Sequence, residues 1–210
     1  MSQTNDPAAI VIALKRYKPL RPIIRAVGAP PVQRRAPAAT RYPYLVRSIV
    51  YQQLAGSAAS AIHGRFVAAC GGKVTPIAVD EVSDETMVSC GLSGAKRAAI
   101  RDLTAHVDAR EVCLDQHARM SDDQVIADLI KVRGVGPWTA HMYLMSSLGR
   151  GDVWPTGDFA VRYGWTLIHD METTITPRVL EEAATSLAPY RSAVSWYCWE
   201  AVALHRGQAR

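Results

Sequence analysis

Residues 129–140 read Leu-Ile-Lys-Val-Arg-Gly-Val-Gly-Pro-Trp-Thr-Ala. Ahead of the glycines, Val125, Ile126, Leu129 and Ile130 recur at helical spacing, which predicts an amphipathic helix with one buried stripe. Gly134 and Gly136 bracket Val135; glycine tolerates positive φ and removes the side chain where backbone must approach a ligand closely. Pro137 then opens a second helix with φ already set and no donor lost. First-turn N–H groups and the positive end of the helix dipole meet at this bend, so it suits an anion. Val135 is expected to plug into the core. A Gly-Val-Gly triplet alone fits an ordinary inter-helix turn. The longer pattern is more specific: an apolar helix, then hydrophobic-x-Gly-hydrophobic-Gly-x-x-Thr-Ala.

Downstream, residues 154–164 read WPTGDFAVRYG and place Asp158 at a helix start. Aspartate is a favoured N-cap, so a purely structural role is available to it. Asp152 reads as structural.

Working outward, helical periodicity dominates. Twelve segments carry it: 8–17, 21–27, 43–54, 57–70, 76–82, 84–90, 95–108, 122–132, 138–148, 159–169, 177–186 and 190–205. Ser83, Ser121 and Thr176 stand where helix caps belong. The best strand candidate, Lys73-Val74-Thr75, is too short to build a sheet. The fold class expected is all-α. Proline- and alanine-rich residues 28–40 and the glycines of 149–152 interrupt the pattern. They suggest a central domain over 40–150, with the hairpin at about 122–148. Residues 1–39 and 151–210 would form a second lobe carrying Asp158.

With 210 residues the chain can bury a substantial core. Its 24 lysines and arginines against 19 acids give a net charge of +5, compatible with a polyanion partner without requiring one. Cys70, Cys90, Cys113 and Cys198 form no CxxC pair, which argues against a zinc or iron–sulfur site and suits buried thiols in a reducing compartment. The histidines are scattered. No apolar run reaches the ~20 residues of a membrane span, and the N-terminus lacks a signal-peptide pattern. The expectation is a cytoplasmic protein with no membrane association.

The hairpin string resembles the helix-hairpin-helix element of the DNA glycosylase superfamily named for it. Residues 48–66, 91–103, 152–165 and 189–199 are similar, in order, to segments of its 3-methyladenine DNA glycosylase II, or AlkA-like, branch. The similarity runs from about Tyr42 to Trp199. In the lyase-competent branch a lysine nucleophile stands two residues after the second hairpin glycine; here that residue is Trp138, which cannot form a Schiff base. The resemblance therefore implies a two-lobed fold with the active site in the cleft between lobes. It implies a monofunctional enzyme that flips out alkylated bases, 3-methyladenine and with it 7-methylguanine, and hydrolyses the N-glycosidic bond to leave an abasic site. The partner would be double-stranded DNA and the protein a monomer. The alternative is a non-catalytic DNA-binding protein that keeps the hairpin as scaffold.

The resemblance also assigns residues. Asp158 matches the catalytic aspartate, either stabilising positive charge on the sugar or activating water. Trp138, Phe159 and Trp199 match pocket aromatics that would stack on a flat cationic base, although Trp199 also fits a core position. Met142 stands where a pocket tyrosine is usual, and Tyr143, one residue out of phase, would face elsewhere. Gly134, Val135, Gly136 and Thr139 would contact DNA; the Gln52-Gln53 pair stands at the wedge position, and Gln53 would fill the gap left by the flipped base. Lys96, Arg97 and Arg101 are further phosphate candidates. Backbone carbonyls of Ile130, Val132 and Val135 would hold a sodium or potassium ion. No other cofactor, and no iron–sulfur cluster, is expected.

Overall fold

The structure is a computed structural model that describes residues 6–207. Twelve α-helices and four short 3-10 turns make up its regular structure, with no strand among the described residues. Among the described residues no helix is long and apolar enough to cross a membrane. At the strand candidate, Thr75 instead caps a helix, accepting from the Ala78 N–H at 3.2 Å. The chain forms two compact units, residues 36–148 and residues 1–35 with 149–210.

Within unit 36–148 lie α3 (Arg41–Tyr51), α4 (Gly56–Ala69), α5 (Pro76–Asp80), α6 (Asp84–Ser89), α7 (Gly94–Asp108), α8 (Asp122–Leu129) and α9 (Pro137–Ser146). Helix α3 packs against α4, α7 and α9. Its Leu45, Val46, Ile49 and Val50 are fully buried, as are Phe66, Ile100, Leu103 and Leu144 on those neighbours. Each such side chain stabilises the fold by roughly 1.5–3 kcal/mol. Ser83 caps its helix as sequence suggests and Ser121 with Gln124 forms a reciprocal capping box; Ser93, not singled out in the sequence, also accepts a first-turn N–H. Helix α3 stops at Tyr51, short of the expected Leu54, because Gln52 leaves helical backbone at ψ 132° and Gln53 then turns into the left-handed region at φ 56°.

A buried polar network braces α8 against α9. His117 is completely buried; its Nε2 lies 2.8 Å from Asp128 Oδ2 and its Nδ1 3.0 Å from the Tyr143 hydroxyl. Lys131 Nζ donates to Asp128 Oδ1 at 2.7 Å. Burial of the Asp128 carboxylate opposes its charge, yet hydrogen bonds from Lys131 and His117 outweigh that and hold its pKa below the usual value.

The other unit joins α1 (Pro7–Leu14) and α2 (Arg21–Val27) to α10 (Phe159–Ile168), α11 (Pro177–Ala183) and α12 (Arg191–His205). Leu14, Leu20 and Ile24 share one core with Val161, Trp165, Leu180 and Val194. Helices α10 and α12 cross in backbone contact: a Cβ on Gly164 would stand 2.0 Å from the Cys198 carbonyl oxygen. Asp152 receives the Arg191 guanidinium at 2.8 and 2.9 Å, pinning the start of α12.

Candidate functional site

The hairpin forms from the end of α8 to the start of α9. Val132 N–H donates to Leu129 O at 3.1 Å and Val135 N–H to Val132 O at 3.0 Å, which tightens the chain into the bend. Gly134 takes φ +76°, a conformation that favours glycine. Its carbonyl accepts from Gln52 Nε2 at 3.0 Å, and the neighbouring Arg133 N–H donates to Asp102 Oδ2 at 2.7 Å. Val135 is buried, as the plug reading requires. Two expectations need correction. Gly136 is extended, at φ −101°, so it makes no use of glycine's positive φ; a Cβ there would meet nothing within 4 Å, and the space stays open to a ligand approaching the backbone. Ile130 is exposed, because α8 ends at Leu129 and Ile130 is the C-cap.

Beside the hairpin is a pocket of about 620 Å³, a size typical of small-molecule sites. Gly134, Gly136, Trp138, Thr139 and Met142 line it together with Gln53. Trp138 is half exposed; Met142 is partly buried, and its carbonyl accepts from the Tyr44 hydroxyl at 3.1 Å. Tyr143 points away into the core, its hydroxyl on His117. Tyr44, Arg47, Ser48 and Tyr51 went unread in the sequence, and Gln52, neighbour of the wedge candidate Gln53, lines the pocket with them. The first four recur at helical spacing on α3, out of phase with its buried Leu45, Val46, Ile49 and Val50, so a polar and aromatic stripe was there to be found.

Three phosphate candidates are engaged elsewhere. Lys96 Nζ donates to Val50 O at 2.6 Å, closing α3. Arg97 donates to Leu92 O at 3.0 Å and Arg101 to Val79 O at 2.8 Å. Buried carbonyls without a helical donor need partners, and these cations supply them. They hold the fold together.

In the other unit, Asp158 is the N-cap of α10. Its own N–H donates to Pro155 O at 2.9 Å, and its Oδ1 accepts from Val161 N–H at 3.0 Å. Only 8% of the residue is exposed. The nearby Cys198 thiol has its pKa pushed up, first by burial and then by the negative charge of Asp158. Phe159 is 57% exposed and stacks on Tyr163 with centroids 5.9 Å apart. Trp199 is partly buried and packs against the core of its own unit. Among the described residues no group of three or more histidines, cysteines and acids could hold a metal ion.

Comparison with known proteins agrees with the hairpin. The sequence matches the HhH-GPD superfamily of base excision DNA repair proteins across residues 46–189. The chain belongs to that superfamily. DNA-3-methyladenine glycosylase 1 of Schizosaccharomyces pombe is 31% identical over 162 residues, 76% of this chain and 71% of that protein. The structure of the S. pombe 3-methyladenine DNA glycosylase in complex with abasic DNA superposes with a TM-score of 0.80 at 28% identity, covering 91% of this chain and 95% of that one. A DNA-3-methyladenine glycosidase from Bacillus halodurans superposes with a TM-score of 0.83 at 29% identity, over 98% and 94% of the two chains. Within the superfamily these relatives place the chain in the DNA-3-methyladenine glycosylase family, as the motif resemblance implied.

Proposed function

We propose that the chain is a monofunctional DNA glycosylase that hydrolyses the N-glycosidic bond of alkylated bases in double-stranded DNA, chiefly 3-methyladenine and with it 7-methylguanine. The observation that carries this reading is the continuity of grip and pocket. Gly134 and Gly136, at the anion-binding bend, line the same cavity as Trp138 and Met142. A strand held by amides at the bend would present an extruded base to an aromatic wall. Trp138 offers its face to a flat cation, and Met142 a polarizable, adaptable surface. Gln53, at the tip of the α3–α4 turn, would fill the space the base vacates.

Asp158 supplies the charge. As the C1′–N bond breaks, positive charge builds on the sugar, and a fixed carboxylate lowers that barrier electrostatically. Its anchoring by Val161 and its burial favour a stationary charge over a proton carrier. Water then adds to C1′ and loses its proton. Among the described residues that line the pocket there is no lysine, in keeping with hydrolysis that leaves the abasic strand uncut. Phe159 and Trp199 are read as further aromatic contacts to the flipped nucleotide, Thr139 and Val135 as supports of the DNA-facing bend.

A sodium or potassium ion fits the hairpin's donor set. Ile130 O stands at a helix C-cap, where carbonyls lack helical donors. Val132 O accepts one bond, from Val135, and has a second lone pair. With Val135 O these neutral oxygens suit an alkali cation, which would link the bend electrostatically to a DNA phosphate. We read the protein as a monomer of the cytoplasm. The test is base release: incubation with methylated duplex DNA should free 3-methyladenine and leave alkali-sensitive sites, with no nicking before alkali. Methylated DNA recovered with every base in place would refute the reading.

A further inference from the structure

Arg47 alone carries a charge among the described residues that line the pocket. It stands on α3, and its Cζ lies 4.1 Å from the centre of the Tyr51 ring, so a cation–π contact holds the guanidinium at the wall. No described carboxylate forms an ion pair with it. Its charge is felt nearby: His63, whose ring stands 6.1 Å from Tyr51, has its pKa lowered by burial first and by Arg47 second. A lone cation is an odd fitting for a pocket meant to receive a cationic base, because it repels that base on entry. The oddity disappears once the bond-breaking step is considered.

We propose that Arg47 is a catalytic residue of the pocket, a fixed cation that promotes departure of the base. This rests on the glycosylase reading above. When the C1′–N bond breaks, both bonding electrons stay on the base nitrogen. A cationic alkylated purine leaves neutral, and its positive charge passes to the sugar; a water oxygen then bonds C1′ and releases a proton to solvent. A base that enters neutral leaves with negative charge and takes up a proton from solvent. In either case the base becomes one unit less positive between ground state and transition state. A positive charge beside it favours that change, and only interactions stronger in the transition state accelerate the reaction. Because Tyr51 already holds the guanidinium, no reorganisation is needed at the moment of cleavage. The consequence is an opposing pair of effects on an alkylated substrate: weaker binding and faster chemistry.

The experiment is single-turnover base release from methylated duplex DNA by the parent, Arg47→Met and Arg47→Lys, each across a range of enzyme concentrations. Arg47 is exposed, so solvent tempers its field. Arg47→Met should lower the maximal rate about tenfold (1.4 kcal/mol) while the half-saturating concentration falls rather than rises. Arg47→Lys should recover most of the rate, and an unchanged melting temperature in both variants shows that the fold is intact. An unaltered rate in Arg47→Met overturns the proposal. So does weakened binding with a salt slope reduced by about one, the signature of a lost phosphate contact. A parent protein that releases no methylated base would instead sink the glycosylase reading itself.

Discussion

Replacing Asp158 with asparagine keeps the shape of the side chain and deletes its charge. The cap survives the change: Oδ1 of asparagine can accept from the Val161 N–H, 3.0 Å away in the parent, and the two residues cap helices about equally well. Folding stability should therefore move by no more than about 0.5 kcal/mol. Catalysis should not survive. A carboxylate about 4 Å from a developing unit charge contributes about 4 kcal/mol at an effective dielectric constant near 20. Asp158 is 8% exposed, so water screens that interaction little. At 1.36 kcal/mol per decade, its loss corresponds to a rate lower by roughly 10³-fold.

The assay follows base release from methylated duplex under single-turnover conditions, with affinity for an uncleavable duplex measured in parallel. Affinity should change less than about threefold, because hairpin amides and not Asp158 hold the strand. Asp158→Ala separates the two roles of the residue. It loses the cap as well, at about 1 kcal/mol, which lowers Tm by roughly 2–4 °C in a chain of this size. A release rate for Asp158→Asn within tenfold of the parent would refute the electrostatic argument and leave Asp158 a helix cap.

Two further predictions concern the scaffold. Gly164→Ala should destabilise by about 3 kcal/mol or more and lower Tm by roughly 6–12 °C, because the new Cβ would meet the Cys198 carbonyl at 2.0 Å and neither backbone can yield alone; an unchanged Tm would show that α10 and α12 cross less tightly than described. Stability should also fall in mild acid. Burial lowers the pKa of His117; the Asp128 hydrogen bond and charge oppose that shift, Arg41 adds to it and Asp115 opposes it. The unfolded chain takes up a proton near pH 6.5, and the folded chain does so only at lower pH, so stability is lost as pH drops below about 6.5. Urea midpoints measured between pH 7.5 and 5.5 should show this decline, and it should be shallower in His117→Gln; parallel declines in the two proteins would rule out His117 as its source.

The parts legible in sequence were those built from residues with few conformational choices. Gly134, Val135 and Pro137 define the bend because glycine and proline narrow the backbone and valine has one place to go. Serine caps at 83 and 121 are visible for the same reason: a hydroxyl three residues before a waiting N–H is a local fact. The identity of Asp158 as a cap was likewise local, and its chemical role came only from resemblance. Resemblance put Met142 on the pocket wall, and helical phase then sends Tyr143, one residue on, into the core. The same phase rule, applied to α3, would have revealed Tyr44, Arg47, Ser48 and Tyr51, since its apolar residues define the opposite face.

What sequence withheld depends on partners brought from a distance. Gly164 sits unremarked among helix formers, and only the passage of the Cys198 carbonyl 34 residues later explains why no side chain is tolerated there. Arg97 and Arg101 show the same difficulty in reverse. A charge on a helix next to a nucleic-acid motif reads as a phosphate contact, yet the carbonyls of Leu92 and Val79 claim both guanidinium groups. Arg47, on the same kind of surface, faces an aromatic ring and an open cavity instead. The three arginines are alike in sequence and differ in what the fold sets before them: a carbonyl turns the cation into a brace, and a place on the pocket wall leaves its field to act on whatever enters.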